Sequence, residues 1–375
     1  MRKYLLQAQG ISLFYTKELQ IMQKAGIVRK KQIYPSSLLD YASNDYLGLS
    51  THKHLCQEAY LKLSSYPYHS PIASQAINGY HPIHHKFEEF LKNYFGFMSA
   101  TLFGSGFLAN LALFETLVRK GDVLFIDELY HASGKLPAKL LGSQAVFFAH
   151  NDVEDLERKI KTTPRKNRSL IAIEGVYSMD GDIAKKDFYT LAHHYDSLLM
   201  IDEAHSSGVL GKNLKGYLDY YNLPVTPNIV KMGTLSKAYG SYGAFVLGER
   251  SVIDFLFTKA KSSIYTTAPS LFDTALAHCN LDYISQNTQA LLEQLQEQKE
   301  ALSPLICTQS QLAILPYTSQ KQMLLHTQKL LDEGYLVGSI RKPTSQTPRI
   351  RISLNIKNNK KQSQKLCKIL QNFDK

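Results

Sequence analysis

The chain has 375 residues, more than one compact core usually holds, so two packed units are expected. A hydrophobic share of 44% with 20% charged residues excludes a disordered chain, and no stretch approaches the eighteen uncharged apolar residues of a membrane span. The net charge of +11 leaves nucleic acid, an anionic surface and acidic substrates open as partners, because charge alone names none.

At the start, Arg2 and Lys3 precede Leu5 and Leu6, but Gln7, Gln9 and Gly10 break the apolar run before a signal sequence forms, so a cytoplasmic protein is expected. Residues 1–45 read as an N-terminal arm with the opening segment of a small domain, and carry the basic cluster Arg29 to Lys31. His81, His84 and His85 fit the polar start of a helix running toward Leu91 better than a metal site. Residues 46–270 form the expected large domain. In it, short apolar runs alternate with helix-like stretches: Ala100 to Phe103, Val123 to Ile126, Ala145 to Phe148, Leu170 to Glu174, Leu198 to Asp202, Ile229 to Met232 and Ala244 to Leu247. Several show no polar alternation, as in strands buried on both faces, so the pattern predicts an α/β fold with one mostly parallel seven-stranded sheet.

From 271 to 375 the chain changes to longer helical segments, Leu291 to Ala301 and Lys321 to Glu333, followed by a strand from Arg349 to Leu354, which predicts a smaller α+β C-terminal domain. Lys357, Lys360, Lys361, Lys365 and Lys368 are spaced among Leu366, Ile369 and Leu370 like the solvated face of an amphipathic helix. Cys56, Cys279, Cys307 and Cys367 have no CxxC spacing, so they read as reduced thiols, and no metal is expected.

Chemistry is sought at the carboxyl ends of the strands, where open α/β sheets place ligands. Phe103-Gly104-Ser105-Gly106-Phe107 is a glycine turn into a helix, and the free N–H groups at such a start suit a phosphate. Tyr130-His131-Ala132-Ser133 follows a strand ending in Asp127. Glu174 opens the polar turn through Ser178 to Asp182. Asp202 ends an apolar strand, where a buried carboxylate needs a cation such as a protonated pyridine nitrogen, and His205 follows it. Thr234-Leu235-Ser236-Lys237 then places a lysine among small residues, where a desolvated amine becomes nucleophilic toward an aldehyde.

This ordered set resembles the α-oxoamine synthases of the fold-type I pyridoxal-phosphate enzymes. The resemblance extends to Ser43-Asn44-Asp45-Tyr46-Leu47-Gly48, Asn78-Gly79-Tyr80, Tyr265-Thr266-Thr267-Ala268, Arg341 to Thr344 and Arg349-Ile350-Arg351. Ala149-His150-Asn151-Asp152-Val153 and the Tyr265-Thr266-Thr267-Ala268 stretch lean toward the oxononanoate synthases among them. It implies pyridoxal 5′-phosphate held as a Schiff base on Lys237, with Asp202 on the pyridine nitrogen, His205 on the phenolic oxygen and His131 against the ring face. Gly106, Phe107, Ser178 and Thr234 complete the cofactor contacts. Asn44 and Arg351 match positions that hold the amino-acid carboxylate, and Thr344 lies in the acyl-substrate segment. The implied reaction joins L-alanine to a pimeloyl thioester, of coenzyme A or of an acyl carrier protein, with loss of carbon dioxide, in a homodimer. Glycine and serine users share most of these motifs.

The match departs at Ser70 to Gln75, where relatives have a glycine-rich stretch. Two other readings fail on chemistry. Asp202-Glu203-Ala204-His205 spells a helicase motif, but no GxxxxGK[ST] phosphate loop accompanies it, so no nucleic-acid partner is expected. A non-catalytic scaffold would not need Lys237, Asp202, His205 and His131 together.

Overall fold

The computed structural model describes residues 2–29, 31–303 and 308–373; Lys30 of the basic cluster and Cys307 lie outside the described residues. After an N-terminal helix, Arg2–Lys24, the first strand is β1 (Leu39–Tyr41). The seven apolar runs become β2 (Ser99–Phe103), β3 (Val123–Asp127), β4 (Ala145–Phe148), β5 (Ser169–Glu174), β6 (Leu198–Asp202), β7 (Ile229–Thr234) and β8 (Ala244–Gly248). They pair in the order β2-β8-β7-β6-β5-β3-β4. Only β8 runs against its neighbours, so the carboxyl ends of the other strands share one rim.

Covering the sheet on both faces explains the unbroken apolar runs. Ile171, Ile173, Leu199 and Ile201 enter one core, while Leu170, Ala172 and Met200, between them in sequence, enter the other. The helix Gly106–Leu117 lies on the second side, contributing Ala109, Ala112, Leu113 and Leu117. The helix Leu271–Gln286 adds Leu271, Ala275, Leu281 and Ile284 to the first. The three histidines do open a helix, Pro82–Phe95: the His81 ring accepts from Ile83 N, and the buried His84 ring reaches Pro269 O at 2.8 Å.

A second sheet, in the order β1-β10-β11-β9, joins the early strand to β9 (Leu312–Pro316), β10 (Tyr335–Ile340) and β11 (Arg349–Ser353). β1 runs parallel to β10, with Leu39 opposite Tyr335. Tyr41, Met323, Leu330, Ile350, Ile352, Leu366 and Leu370 fill its core. The five lysines near the C-terminus are exposed, on and just before the helix Lys360–Gln371, which turns Leu366 and Leu370 inward. Among the described residues no helix is long and apolar enough to cross a membrane.

One ion pair is buried within this scaffold. Glu203 directly follows β6 and accepts from the Tyr217 N–H, shared between both its oxygens, from the Ser206 hydroxyl, and from Lys231 Nζ at 3.3 Å. A side chain on Gly216 (φ +96°) or Gly175 would strike this carboxylate or its Ser206 partner, so both glycines make room for it. Removing one member of such a pair strands the other charge away from water. Lys231→Met should lower unfolding free energy in urea by about 3–5 kcal/mol, and adding Glu203→Gln should restore a large part of it. Equal stability of Lys231→Met and the unmodified chain would contradict the pairing.

Candidate active site

Asp202 ends β6 at the shared rim, 4% exposed, and both its oxygens are engaged. Oδ1 accepts from Ala204 N at 2.9 Å and Oδ2 from Asn110 Nδ2 at 2.8 Å. Asn110 projects from the helix Gly106–Leu117; it also donates to Ser133 Oγ at 2.8 Å and accepts from Tyr130 OH at 3.0 Å. Ser133 Oγ in turn meets His131 Nδ1 at 2.7 Å. Asp202 and His131 are therefore joined through Asn110 and Ser133, neither of which the motif reading had singled out for a role.

Lys237 Nζ lies 2.7 Å from His205 Nε2. Burial lowers the amine to about 8, although Asp202 and Glu174 favour its charge. Burial, reinforced by the Lys237 charge, holds His205 well below the ordinary histidine value. The other nitrogen of that ring, Nδ1, meets Tyr46 OH at 2.6 Å, and Tyr46 donates to Asn44 Oδ1 at 3.1 Å. Arg351 completes the line: NH2 donates to Asn44 Oδ1 at 3.2 Å and NH1 to Ser178 O at 3.3 Å, while its buried Nε has no partner. Gln311 Nε2 holds His205 O at 2.6 Å.

Glu174 stands beside Asp202 in the β5–β6 register. One of its oxygens takes the His131 N–H and the other the Ser178 N–H at 3.2 Å, so it ties two loops of the rim together. Burial and the Asp202 charge raise this carboxyl well above its usual value. Behind the loops, His150 bridges Asp127 at 3.1 Å and Asp182 at 3.2 Å, and Asn151 Nδ2 also reaches Asp182, at 2.7 Å. From the second sheet Arg349 grips the same turn through Asp180 at 2.6 Å and Met179 O at 2.7 Å.

Gly106 and Phe107 form the first turn of their helix, capped by Ser105 Oγ accepting from Leu108 N. Thr234 sits alongside Gly106 and meets Ser236 Oγ at 2.7 Å and Gly243 O at 3.1 Å. Thr344 is placed elsewhere: it accepts from Arg29 NH2 at 2.9 Å on the wall of an 810 Å³ cavity between the N-terminal segment and β10, with Arg341 and Lys342 beside it. The divergent segment from Ser70 folds against strand β2 and the Tyr265 stretch, with Gln75 Nε2 on Leu102 O at 3.1 Å and Ala73 O on Ala268 N at 2.9 Å. Tyr46 and Gln311 carried no independent signal, since a tyrosine inside an apolar motif and a glutamine before a strand read as packing and loop.

A sequence model of the family described as "Aminotransferase class I and II" matches residues 36–370. The 8-amino-7-oxononanoate synthase of Helicobacter pylori (strain ATCC 700392 / 26695) is 44% identical over 96% of this chain and 98% of its own length. A putative 8-amino-7-oxononanoate synthase of Aquifex aeolicus (strain VF5) is 37% identical, covering 90% and 92%. The chain belongs to the 8-amino-7-oxononanoate synthase family. A solved 8-amino-7-oxononanoate synthase from Francisella tularensis superposes with a TM-score of 0.76 at 26% identity, over 90% of this chain and 98% of that one. A serine palmitoyltransferase from S. paucimobilis, solved with bound PLP-myriocin aldimine, shares the fold at a TM-score of 0.86 and 24% identity, over 96% of each chain.

Enzymes of this family depend on pyridoxal phosphate, and the residues present fit it. The rim holds a buried primary amine whose contact is a neutral ring rather than a carboxylate, a carboxylate that takes only neutral donors, and a guanidinium nitrogen without a partner. Those groups suit, in turn, an aldehyde, a protonated ring nitrogen and a carboxylate.

The His150 bridge yields a pH prediction. Burial opposes its protonation, but Asp127 and Asp182 prevail and raise it from 6.5 to about 10. A folded value above the unfolded one gives stability that is whole below about pH 6.5 and is lost as pH rises through about 10. His150→Gln should therefore cost most stability near pH 6 and flatten the decline between about pH 7 and 10. Denaturation curves showing the same cost near pH 6 and above pH 10 would mean the bridge is uncharged.

Proposed function

We propose that this chain joins L-alanine to a pimeloyl thioester, with release of the thiol and carbon dioxide, to give 8-amino-7-oxononanoate for biotin synthesis. The observation that carries the reading is the buried Lys237 amine facing His205 at the rim that also holds Asp202, in a chain of this family.

Pyridoxal phosphate, when bound, supplies the aldehyde that captures the amino group and a ring that accepts the electron pair freed at Cα. Lys237 anchors it and, once its amine is free, takes the proton from alanine Cα. Asp202, kept rigid by Asn110 and Ala204 N, holds a proton on the pyridine nitrogen. His131, fixed by Glu174 and Ser133, and His205 would hold the cofactor, His131 against its ring and His205 at its phenolic oxygen. Gly106, Phe107, Ser178 and Thr234 line the cofactor. Asn44 and Arg351 hold the alanine carboxylate, for which the unpartnered Nε is available. Thr344, with Arg29 beside it, receives the acyl chain of a coenzyme A or carrier-protein thioester.

The working unit is a cytoplasmic homodimer. Leu140 and Tyr265, each exposed by 80%, line an apolar cavity of 670 Å³ beside the helix Gly106–Leu117, a surface suited to burial against a second copy.

L-alanine with pimeloyl-coenzyme A or pimeloyl carrier protein should yield 8-amino-7-oxononanoate by mass spectrometry; faster turnover of glycine or serine would reassign the amino acid. Borohydride should fix the cofactor to Lys237, and a reduced adduct mapped to another lysine would refute that role. Asp202→Asn, saturated with cofactor, should lose about 10²-fold or more in kcat while unfolding normally; near-normal turnover would make Asp202 structural. Light scattering during turnover should report a dimer, and an active monomer would remove that part of the reading.

A further inference from the structure

The line of contacts from Arg351 to Lys237 has a direction, because its first member can only donate. A guanidinium has no acceptor atom, so the Asn44 atom that meets Arg351 NH2 must be the carbonyl Oδ1. Oδ1 cannot donate, so the contact with Tyr46 OH at 3.1 Å spends the single tyrosine proton. The Tyr46 oxygen can then only accept at its 2.6 Å contact with His205, so His205 Nδ1 carries the ring proton. Burial keeps both groups neutral, pushing Tyr46 up to about 12 and His205 well below its usual value. His205 Nε2 is left bare, and it faces Lys237 Nζ at 2.7 Å.

We propose that Tyr46 is a positioning residue that transmits the orientation of Asn44, set by Arg351, to His205, fixing the Nδ1–H tautomer and presenting a bare Nε2 to Lys237. The proposal rests on the functional reading for the roles of Lys237 and Arg351, and adds a link between them. A carboxylate seated on Arg351 competes with Asn44 for its N–H groups. Once released, the Asn44 amide can turn, Tyr46 can donate to His205 instead, and Nε2 becomes the donor. Occupancy of the amino-acid site is thereby communicated to the nitrogen that faces the lysine.

Other charges also act on these groups: Asp202, Glu174 and Arg351 on Lys237, and Lys237, Arg351 and His131 on His205. They remain in place when a hydroxyl or an amide is removed, so the relay can be tested against a constant background. A bare Nε2 supports the ammonium form of Lys237 by accepting its N–H, and a protonated Nε2 does not.

The test uses the full chain prepared without pyridoxal phosphate, labelled across pH with an amine-directed acylating reagent and read at Lys237 by mass spectrometry. In Tyr46→Phe the half-labelling pH of Lys237 should fall by about 1 unit, because Nε2 is no longer held bare. Asn44→Ala, on a partly exposed turn, frees Tyr46 to donate to His205 and should shift it the same way. The double variant should shift no further than the larger single one, as members of one relay do. Labelling of Lys231, buried at the Glu203 pair, should stay unchanged, which a general loosening of the fold would not allow. A half-labelling pH that is unchanged or raised in both single variants, or shifts that add in the double, overturns the proposal. No substrate is present, so a failed condensation assay alongside intact shifts would overturn the function and leave the relay standing.

Discussion

Burying the Lys237 amine next to Asp202 and Glu174 obliges the surrounding chain to give every polar atom nearby a partner. Most of the site follows from that obligation. Asn110 exists at the interface of helix and rim because Asp202 Oδ2 and Ser133 need a donor and Tyr130 an acceptor. Glu174 divides its two oxygens between the His131 and Ser178 backbones. A polar atom left over is informative for the same reason: Arg351 Nε is buried without a partner, beside Asn44 and Ser178.

Periodicity made the large sheet legible. Strands buried on both faces hold few polar positions, so β3, β5, β6 and β8 stand out as apolar runs, β7 does so apart from the paired Lys231, and the polar residues that end them mark the rim. The small sheet was less legible because β1 is only three residues long and pairs with a strand near the other end of the chain. No local pattern records such a pairing. Within the site, Lys237, Asp202, His205 and His131 were found because charged or titratable residues at strand ends need explaining. Asn110 and Tyr46 were not, because their side chains serve other side chains, and that relationship exists only in three dimensions.

The positive charge acquires a position in the structure without acquiring a partner. The C-terminal lysines lie on and beside the outer face of a helix whose inner face fills the small core, which accounts for them as solvated residues. Arg29, Arg341 and Lys342 differ, since they gather on one cavity with Thr344. An anionic thioester approaching that cavity would meet concentrated charge, whereas the helix offers only a diffuse field that salt screens.

Both sheets are needed before the catalytic geometry exists. Lys237 and His205 follow strands of the large sheet, while Asn44 follows β1 and Arg351 lies within β11 of the small one. Tyr46 crosses between them: its side chain packs in the core of the large sheet, and its carbonyl accepts from Ile356 N, just beyond β11. Arg349 on Asp180, Arg351 on Ser178 O and Gln311 on His205 O add three further ties across the same seam. A shift of the small sheet by an ångström or two would carry Asn44 and Arg351 together and strain the contacts across the seam, the Tyr46–His205 contact among them, even with every residue of the large sheet in place. Under the proposed relay the protonation of Lys237 depends on what Arg351 holds, which is the dependence a condensing enzyme needs if its base is to act only when an amino acid is present.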